Sequence, residues 1–227
     1  MIEYVYDTWL SKIIQKDCYN IFCKETTKKF EFIKKKNSFF TAKIESSDFP
    51  KSLYLQKYGF KCIDYHLTFN KKLEVGENIS ACRFYANSDK CHVLKLSNFF
   101  NFSRFHMDPE ISSSVASKIK REWVKSFFLG KRGDNMIVFE EAGNILGFLL
   151  FLIRGEEIII DLIIVDEKHR RKNIAKKMID FMVKKSISKR IQRVKVGTQS
   201  SNLNAIKFYS KLGFSLSSIN IILHKHI

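Results

Sequence analysis

Ile158 to Val165 is an eight-residue run in which every residue but Asp161 is aliphatic. The run is short enough for a strand, and a strand apolar at both parities is buried on both faces, inside a sheet covered by helices. A carboxylate in the middle of such a strand is an anomaly that asks for a function. Directly after it comes V-D-E-K-H-R-R-K-N-I-A, Val165 to Ala175. An apolar stripe at Ile174, Met178 and Met182 then predicts a helix from about Arg171 to Lys185, with lysines on its other side. Strand, basic turn and helix in that order make an α/β layer. Its helix start offers free backbone amides and the positive end of a dipole to an anion.

The remaining segments order themselves around this unit. Cys91 to Leu96 reads as a strand. Val115, Ile119, Trp123 and Phe127 repeat every four residues and predict a helix ending near Gly130. Met136 to Glu140 and Ile145 to Ile153, joined through Ala142-Gly143-Asn144, predict a hairpin, and Arg154-Gly155 turns the chain into the central run. Downstream, Val194, Val196 and Thr198 alternate as a strand, Asn202 to Leu212 forms a second helix, and closing strands run to Ile227.

The polar interval Ala86 to Lys90 is the expected boundary between two closely abutting units. They echo each other at an offset of 154 residues: Y-L-Q-K-Y-G-F at Tyr54 to Phe60 against F-Y-S-K-L-G-F at Phe208 to Phe214. Each copy reads as a helix closed by a glycine, Gly59 or Gly213, able to take the left-handed cap, with a phenylalanine folding back as the next strand begins.

The formal net charge is +17, and its distribution says more than its size. Between Lys168 and Lys195 there are 12 basic residues against the single acid Asp180. The cluster is mostly lysine with its aromatics elsewhere. That fits small phosphorylated ligands better than a nucleic-acid reader built on arginine forks and stacked bases, so no nucleic-acid partner is expected. An apolar fraction of 45% excludes a disordered chain. The longest uncharged apolar run, Ile145 to Ile153, falls short of the ~18 to 20 residues of a spanning helix, so membrane insertion is not expected. Glu3 and Asp7 stand where a secretory leader would be basic, making the cytoplasm the expected compartment. The five cysteines form no C-x-x-C pair and read as reduced. His224 and His226 lack a nearby carboxylate or thiol in sequence, and no metal is expected. Whether the chain works alone or as a homodimer is left open.

Arg170, Arg171, Lys172, Asn173, Ile174 and Ala175 resemble the acetyl-CoA signature R-x-x-G-x-G/A of the GNAT acyltransferase superfamily, with Asn173 in place of the first glycine. Asn tolerates the left-handed region better than other residues with a side chain, so the turn survives the exchange. Asn202, Ala205, Tyr209, Gly213 and Phe214 are similar to the second superfamily pattern, N-x-x-A-x-x-x-Y-x-x-x-G-F. S-R-F at Ser103 to Phe105, the helix carrying Trp123, V-G-T-Q at Val196 to Gln199 and L-Q-K-Y-G-F in the first half extend the resemblance to the dTDP-fucosamine acetyltransferases.

What the resemblance implies is an α/β GNAT fold over residues 87–227, a mixed central sheet flanked by helices. A smaller, degenerate GNAT-like unit over 1–86 precedes it, in which Leu55 replaces Tyr209 and which braces the acceptor pocket. It implies acetyl-CoA as acyl donor, a nucleotide-linked amino sugar as acceptor, and direct attack of the amine on the thioester. Tyr209 would be the general acid, and Asn202 would contact the donor. The backbone at Ile163, Ile164 and Val165 would hold the pantetheine arm. By strand alternation Asp161 lies on the same face as Ile163 and Val165 and is the candidate base. Arg104 would bind the acceptor's diphosphate or sugar. Two alternatives stand beside this reading: acetylation of another amine (a different sugar, a polyamine or a protein amino terminus), or a non-catalytic basic module binding CoA or RNA.

Overall fold

The computed structural model describes residues 2–26, 36–73, 81–186 and 191–227. Its strands are β1 (Ile2–Tyr6), β2 (Asp17–Cys23), β3 (Ser38–Glu45), β4 (Lys61–Lys72), β5 (Cys82–Phe84), β6 (Asn135–Glu141), β7 (Asn144–Arg154), β8 (Glu157–Val165), β9 (Arg193–Gln199) and β10 (Ser215–His226). Its helices are α1 (Thr8–Ile14), α2 (Phe49–Lys57), α3 (Lys90–Leu96), α4 (Arg104–Met107), α5 (Ser113–Phe128), α6 (Ile174–Ser186) and α7 (Leu203–Lys211). All the strands join one mixed sheet in the order β1-β2-β3-β10-β4-β9-β8-β7-β6-β5.

Helices cover both faces, as the apolar β8 requires. On one face α6 sets Ile174, Met178 and Met182 against Ile158, Ile160, Val194 and Val196, and further along the sheet α2 sets Leu55 against Phe40, Ile221 and Leu223. On the other, α3 and α5 bury Val93, Leu96 and Val124 against Phe148, Leu150, Leu162 and Ile164. There α1 and α5 also enclose Phe39 and Phe105. No helix among the described residues is long and apolar enough to cross a membrane.

Two expectations fail at the level of elements. Cys91 to Leu96 is the helix α3, not a strand. Its apolar residues satisfy either period, and the Asp89 carboxylate decides by accepting the Ala86 amide at 2.7 Å and Arg83 at 2.7 and 2.9 Å, which turns the chain into a helix. The close of the chain is one 12-residue strand, β10, whose register shifts at Leu216/Ser218 and Ile222/Leu223 carry it along two neighbours without a break.

The offset of 154 residues carries α2 onto α7 and β4 onto β10 end to end, and β3 onto β9 to within one residue. Gly59 and Gly213 take φ of 83° and 80°, and Phe60 and Phe214 each donate their amide back to the helix, to Leu55 and Tyr209 at 3.2 and 3.0 Å. The two copies exchange their last strands: β10 inserts between β3 and β4, and β4 lies between β10 and β9. β4 and β10 are antiparallel equivalents, and one pair of equivalent residues, His66 and Asn220, lies face to face. The sheet therefore runs unbroken across the expected division at residue 86, and a local twofold axis passes between His66 and Asn220.

Candidate active site

β8 and β9 pair in parallel only from Glu157/Arg193 to Ile160/Val196. Beyond that point β8 follows β7 up to Val165 opposite Gly147, while β9 follows β4 up to Gln199 opposite His66. The sheet splits between Asp161–Val165 and Gly197–Gln199, and a cavity of about 630 Å³ fills the opening. Its walls carry Ile163, Ile164, Val165, Arg170, Arg171, Asn173, Ile174, Ala175, Asn202 and Tyr209. Of the expected donor-site residues, Lys172 alone is not in the wall; it is exposed on the outer side of the turn.

The turn into α6 explains how a backbone can receive an anion here. Arg171 and Asn173 both take the left-handed conformation, with φ of 65° and 58°, so the helix begins at Ile174, three residues later than its apolar stripe suggests. The Asn173 carbonyl accepts the Lys177 amide at 2.9 Å and opens the helical ladder. The amides of Ile174 and Ala175 find no acceptor among the described residues and point along the dipole's positive end. With Arg170 and Arg171 beside them, these groups suit the pyrophosphate of a CoA thioester.

Tyr209 lies on α7 with Leu212 and Phe214 behind it, 4% exposed. Burial pushes its hydroxyl well above the ordinary phenol value, so the group keeps its proton, as a donor must. Asn202 caps α7, its side-chain oxygen accepting the Ala205 amide at 3.2 Å.

Asp161 does not lie where strand alternation puts it. β8 pairs Ile160 with Phe151 and Leu162 with Leu150, leaving Asp161 as the extra residue of a β-bulge. The parity flips there: Ile158, Ile160, Ile163 and Val165 pack on the α6 side, whereas Leu162 and Ile164 pack on the α5 side. The Asp161 carboxylate faces α5, away from Ile163 and Val165. It accepts the Trp123 indole at 2.8 Å and both prongs of the Arg132 guanidinium at 2.7 Å, while Arg132 stacks 3.6 Å over the Trp123 ring. A carboxylate held by a charged fork and an indole is an anchor.

On that same face lies a second cavity of about 560 Å³, which shares Lys120, Ile160, Asp161, Val196, Gly197 and Gln199 with the first. Three pairs of repeat-equivalent residues line it: His66 and Asn220, Thr68 and Ile222, Lys43 and Gly197. The cavity thus sits on the local twofold axis, and both halves of the chain are needed to enclose it. Arg104 lies here, as does a set of residues that the sequence did not single out: Lys43, His66, Lys120, Arg132 and Lys195. Lys43, Arg104 and Lys120 have no hydrogen-bond or ion-pair partner among the described residues. Burial draws Arg104 down to about 10 and Lys120 to about 8, the latter despite Asp161 nearby, and lowers Lys43 in the same way. Arg104 and Lys120 are half-buried and Lys43 is exposed at the rim, and Asp7 near Arg104 and Asp161 near Lys120 offset the burial in part without bonding to either cation. Beyond Arg104, only the spacing of Lys120 and Trp123, three apart on one helix face, was available to signal this site.

The sequence profile of the Acetyltransferase (GNAT) family matches residues 97–214, just over half of the chain. The chain is 32% identical over 116 residues to the spore coat polysaccharide biosynthesis protein SpsD of Bacillus subtilis, a match covering 51% of this chain and 40% of that protein. It is 33% identical over 66 residues to a streptothricin acetyltransferase of Escherichia coli, covering 29% of this chain and 38% of the relative. The chain therefore spans well under half the length of these curated relatives. Among solved structures, a protein of unknown function from Staphylococcus epidermidis aligns over 84% of this chain and 73% of its own at a TM-score of 0.63 and 12% identity. A tandem GNAT protein from the clavulanic acid biosynthesis pathway aligns over 82% and 63% at a TM-score of 0.56 and 12% identity. At such identity the two structures speak for the fold alone. The split sheet, the left-handed turn into α6 and the profile over residues 97–214 agree: this chain belongs to the GNAT acetyltransferase family.

Proposed function

We propose that the protein transfers the acetyl group of acetyl-CoA to an amine whose carrier is anionic, namely the amino group of a nucleotide-linked amino sugar such as a dTDP-4-amino-4,6-dideoxyhexose. The observation that carries this reading is the cavity on the twofold axis, where Lys43, Arg104 and Lys120 gather without a hydrogen bond or ion pair among the described residues and Lys120 reaches the opening in the sheet. Cations gathered in one cavity repel one another unless a ligand supplies the opposite charge, and a diphosphate supplies two. A polyamine would meet the same cations as like charges, which disfavours that acceptor. The naming of SpsD for polysaccharide biosynthesis supports a sugar.

The amine attacks the thioester carbonyl within the split, where the β8 backbone at Ile163 and Val165, alternating with Ile164 that faces Phe148 of β7, aligns the donor. Tyr209 protonates the departing sulfur. Arg104, Lys120 and Lys43 bind the acceptor's diphosphate, and Asp161 fixes Arg132 and Trp123 as the wall between acceptor and solvent. Residues 1–86 contribute Lys43, His66 and Thr68 to that wall, which is how the first unit braces the pocket. The cytoplasm, where acetyl-CoA and nucleotide sugars meet, belongs to the same reading.

Release of free CoA thiol from acetyl-CoA, with dTDP- and UDP-linked amino sugars tested beside polyamines and peptides, checks the proposal. Turnover confined to nucleotide-linked amino sugars supports it. Equal or faster turnover of a polyamine or peptide overturns the acceptor assignment.

A further inference from the structure

We propose that His66 takes a proton from the acceptor's ammonium group and so generates the free amine that attacks the thioester. This inference rests on the second cavity being the acceptor site.

His66 is a β4 residue paired with Asn220 on one side and Gln199 on the other, and all three line the acceptor cavity. Its ring lies over Gly197, a residue in the walls of both cavities. A Cβ built on Gly197 would come within 2.5 Å of His66 Nε2 and 2.6 Å of Cε1. Gly197 has no positive φ, so its backbone does not call for glycine, and glycine weakens a strand interior. The reason for a glycine at this point of V-G-T-Q is room for the imidazole, which is thereby held at the throat between donor and acceptor.

The ring is also unspent. Nδ1 is buried without a hydrogen-bond partner, and neither ring nitrogen is bonded among the described residues. The other titratable groups of this cavity cannot serve. Asp161 is held by Arg132 and Trp123, Lys195 is bonded to Glu157, and Lys43, Arg104 and Lys120 are taken up by the acceptor's phosphates.

Charges reach His66 from Lys43 on β3, Asp64 on its own strand, Arg104 on α4 and Lys120 on α5, and Lys195 on β9 lines the same cavity. Asp64 is occupied by Ser200, Ser201 and the Tyr65 amide, and β10 offers only neutral side chains there. Burial first, and then Lys43, Arg104 and Lys120, hold the imidazole down to about 4, neutral but weakly basic. An acceptor whose phosphates neutralise those three cations strengthens the base at the moment it is needed, whereas an amine lacking the anion leaves it weak.

An N–H bond of the ammonium breaks and its proton goes to Nε2. The amine lone pair forms the C–N bond to the acetyl carbon and the C–S bond breaks. The thiolate takes the Tyr209 proton, which Tyr209 recovers from the nitrogen of the collapsing intermediate. The imidazolium then returns one proton to solvent.

The test compares the wild type with His66→Asn over a range of pH, using whichever amine turns over, with CoA affinity measured in parallel. The expected result is a ~10²- to 10⁴-fold fall in kcat, CoA affinity within about twofold, and a rate that rises in proportion to hydroxide. A His66→Asn enzyme that retains the wild-type acid limb, whatever its rate, overturns the assignment. NMR titration of the His66 ring in the wild type, with and without inorganic pyrophosphate, is the second readout. The proposal expects pyrophosphate to raise the midpoint by about one unit or more, and an unchanged midpoint overturns the coupling. If no acceptor turns over in the wild type, the functional reading fails while the titration still reports on the ring.

Discussion

Tyr209 is the residue for which sequence and structure agree most closely, because its place is set by a local pattern: a helix capped by Asn202 and closed by Gly213. Replacing it with Phe keeps the packing and removes the proton, so kcat is expected to fall ~10²- to 10⁴-fold while CoA affinity, by calorimetry, stays within about twofold. A CoA sensor would have no turnover to lose. Asp161 shows the opposite case. Seven aliphatic residues read alike with or without an inserted position, so the bulge that turns Asp161 toward Arg132 was invisible, and only the misplaced carboxylate hinted at it. His66 and His224 carry a pH prediction. Burial holds each near 4, for His224 against the Asp108 hydrogen bond, while in the unfolded chain both titrate near the ordinary 6.5. The unfolded state therefore binds more protons between those values, and stability falls as pH is lowered from about 6.5 toward 4. Urea unfolding at stepped pH measures this slope, and a flat profile across that window would contradict the burial of both rings.

At the scale of elements, the turn ahead of α6 holds the donor site together. Two left-handed residues in three positions are unusual, and Asn173 is the one the sequence picked out, since asparagine reaches that region at little cost. Asn173→Ala is expected to add strain of about 1 to 2 kcal/mol and to weaken acetyl-CoA binding, whereas Asn173→Gly retains it; titration calorimetry separates the two. Equal affinities in both variants would mean that the left-handed turn does not shape the site. The helix α3 was misread because its apolar residues fit both periods, and the Asp89 contacts that decide between them are made with Arg83 and Ala86. Neither a period nor a propensity records such a contact.

At the scale of the molecule, the repeat at 154 residues announced two related units but not how they join. Which strand lies beside which is settled by pairing across the sheet, and the exchange of β4 and β10 leaves each unit without its own last strand. Residues 87–227 expressed alone are therefore expected to lack a cooperative thermal transition, and co-expression with 1–86 to restore one by circular dichroism; an independently folded 87–227 would contradict the exchange. The same exchange explains why the second cavity was mostly illegible. Lys43, His66, Lys120 and Arg132 come from four separate stretches of chain, and their meeting depends on a register that no local pattern carries, whereas the donor site comes from two contiguous motifs.

The proposed selection of the acceptor by its anionic carrier is tested most directly by kcat/KM for one amino sugar with and without its nucleoside diphosphate. The comparison is made in the wild type and in a Lys43→Met, Arg104→Met variant. Charge-assisted hydrogen bonds of roughly 1.5 to 3 kcal/mol each predict a preference of about 10²-fold or more for the nucleotide-linked sugar, falling close to unity in the variant. Equal kcat/KM for the two sugars in the wild type, or a preference that survives loss of both cations, would contradict it.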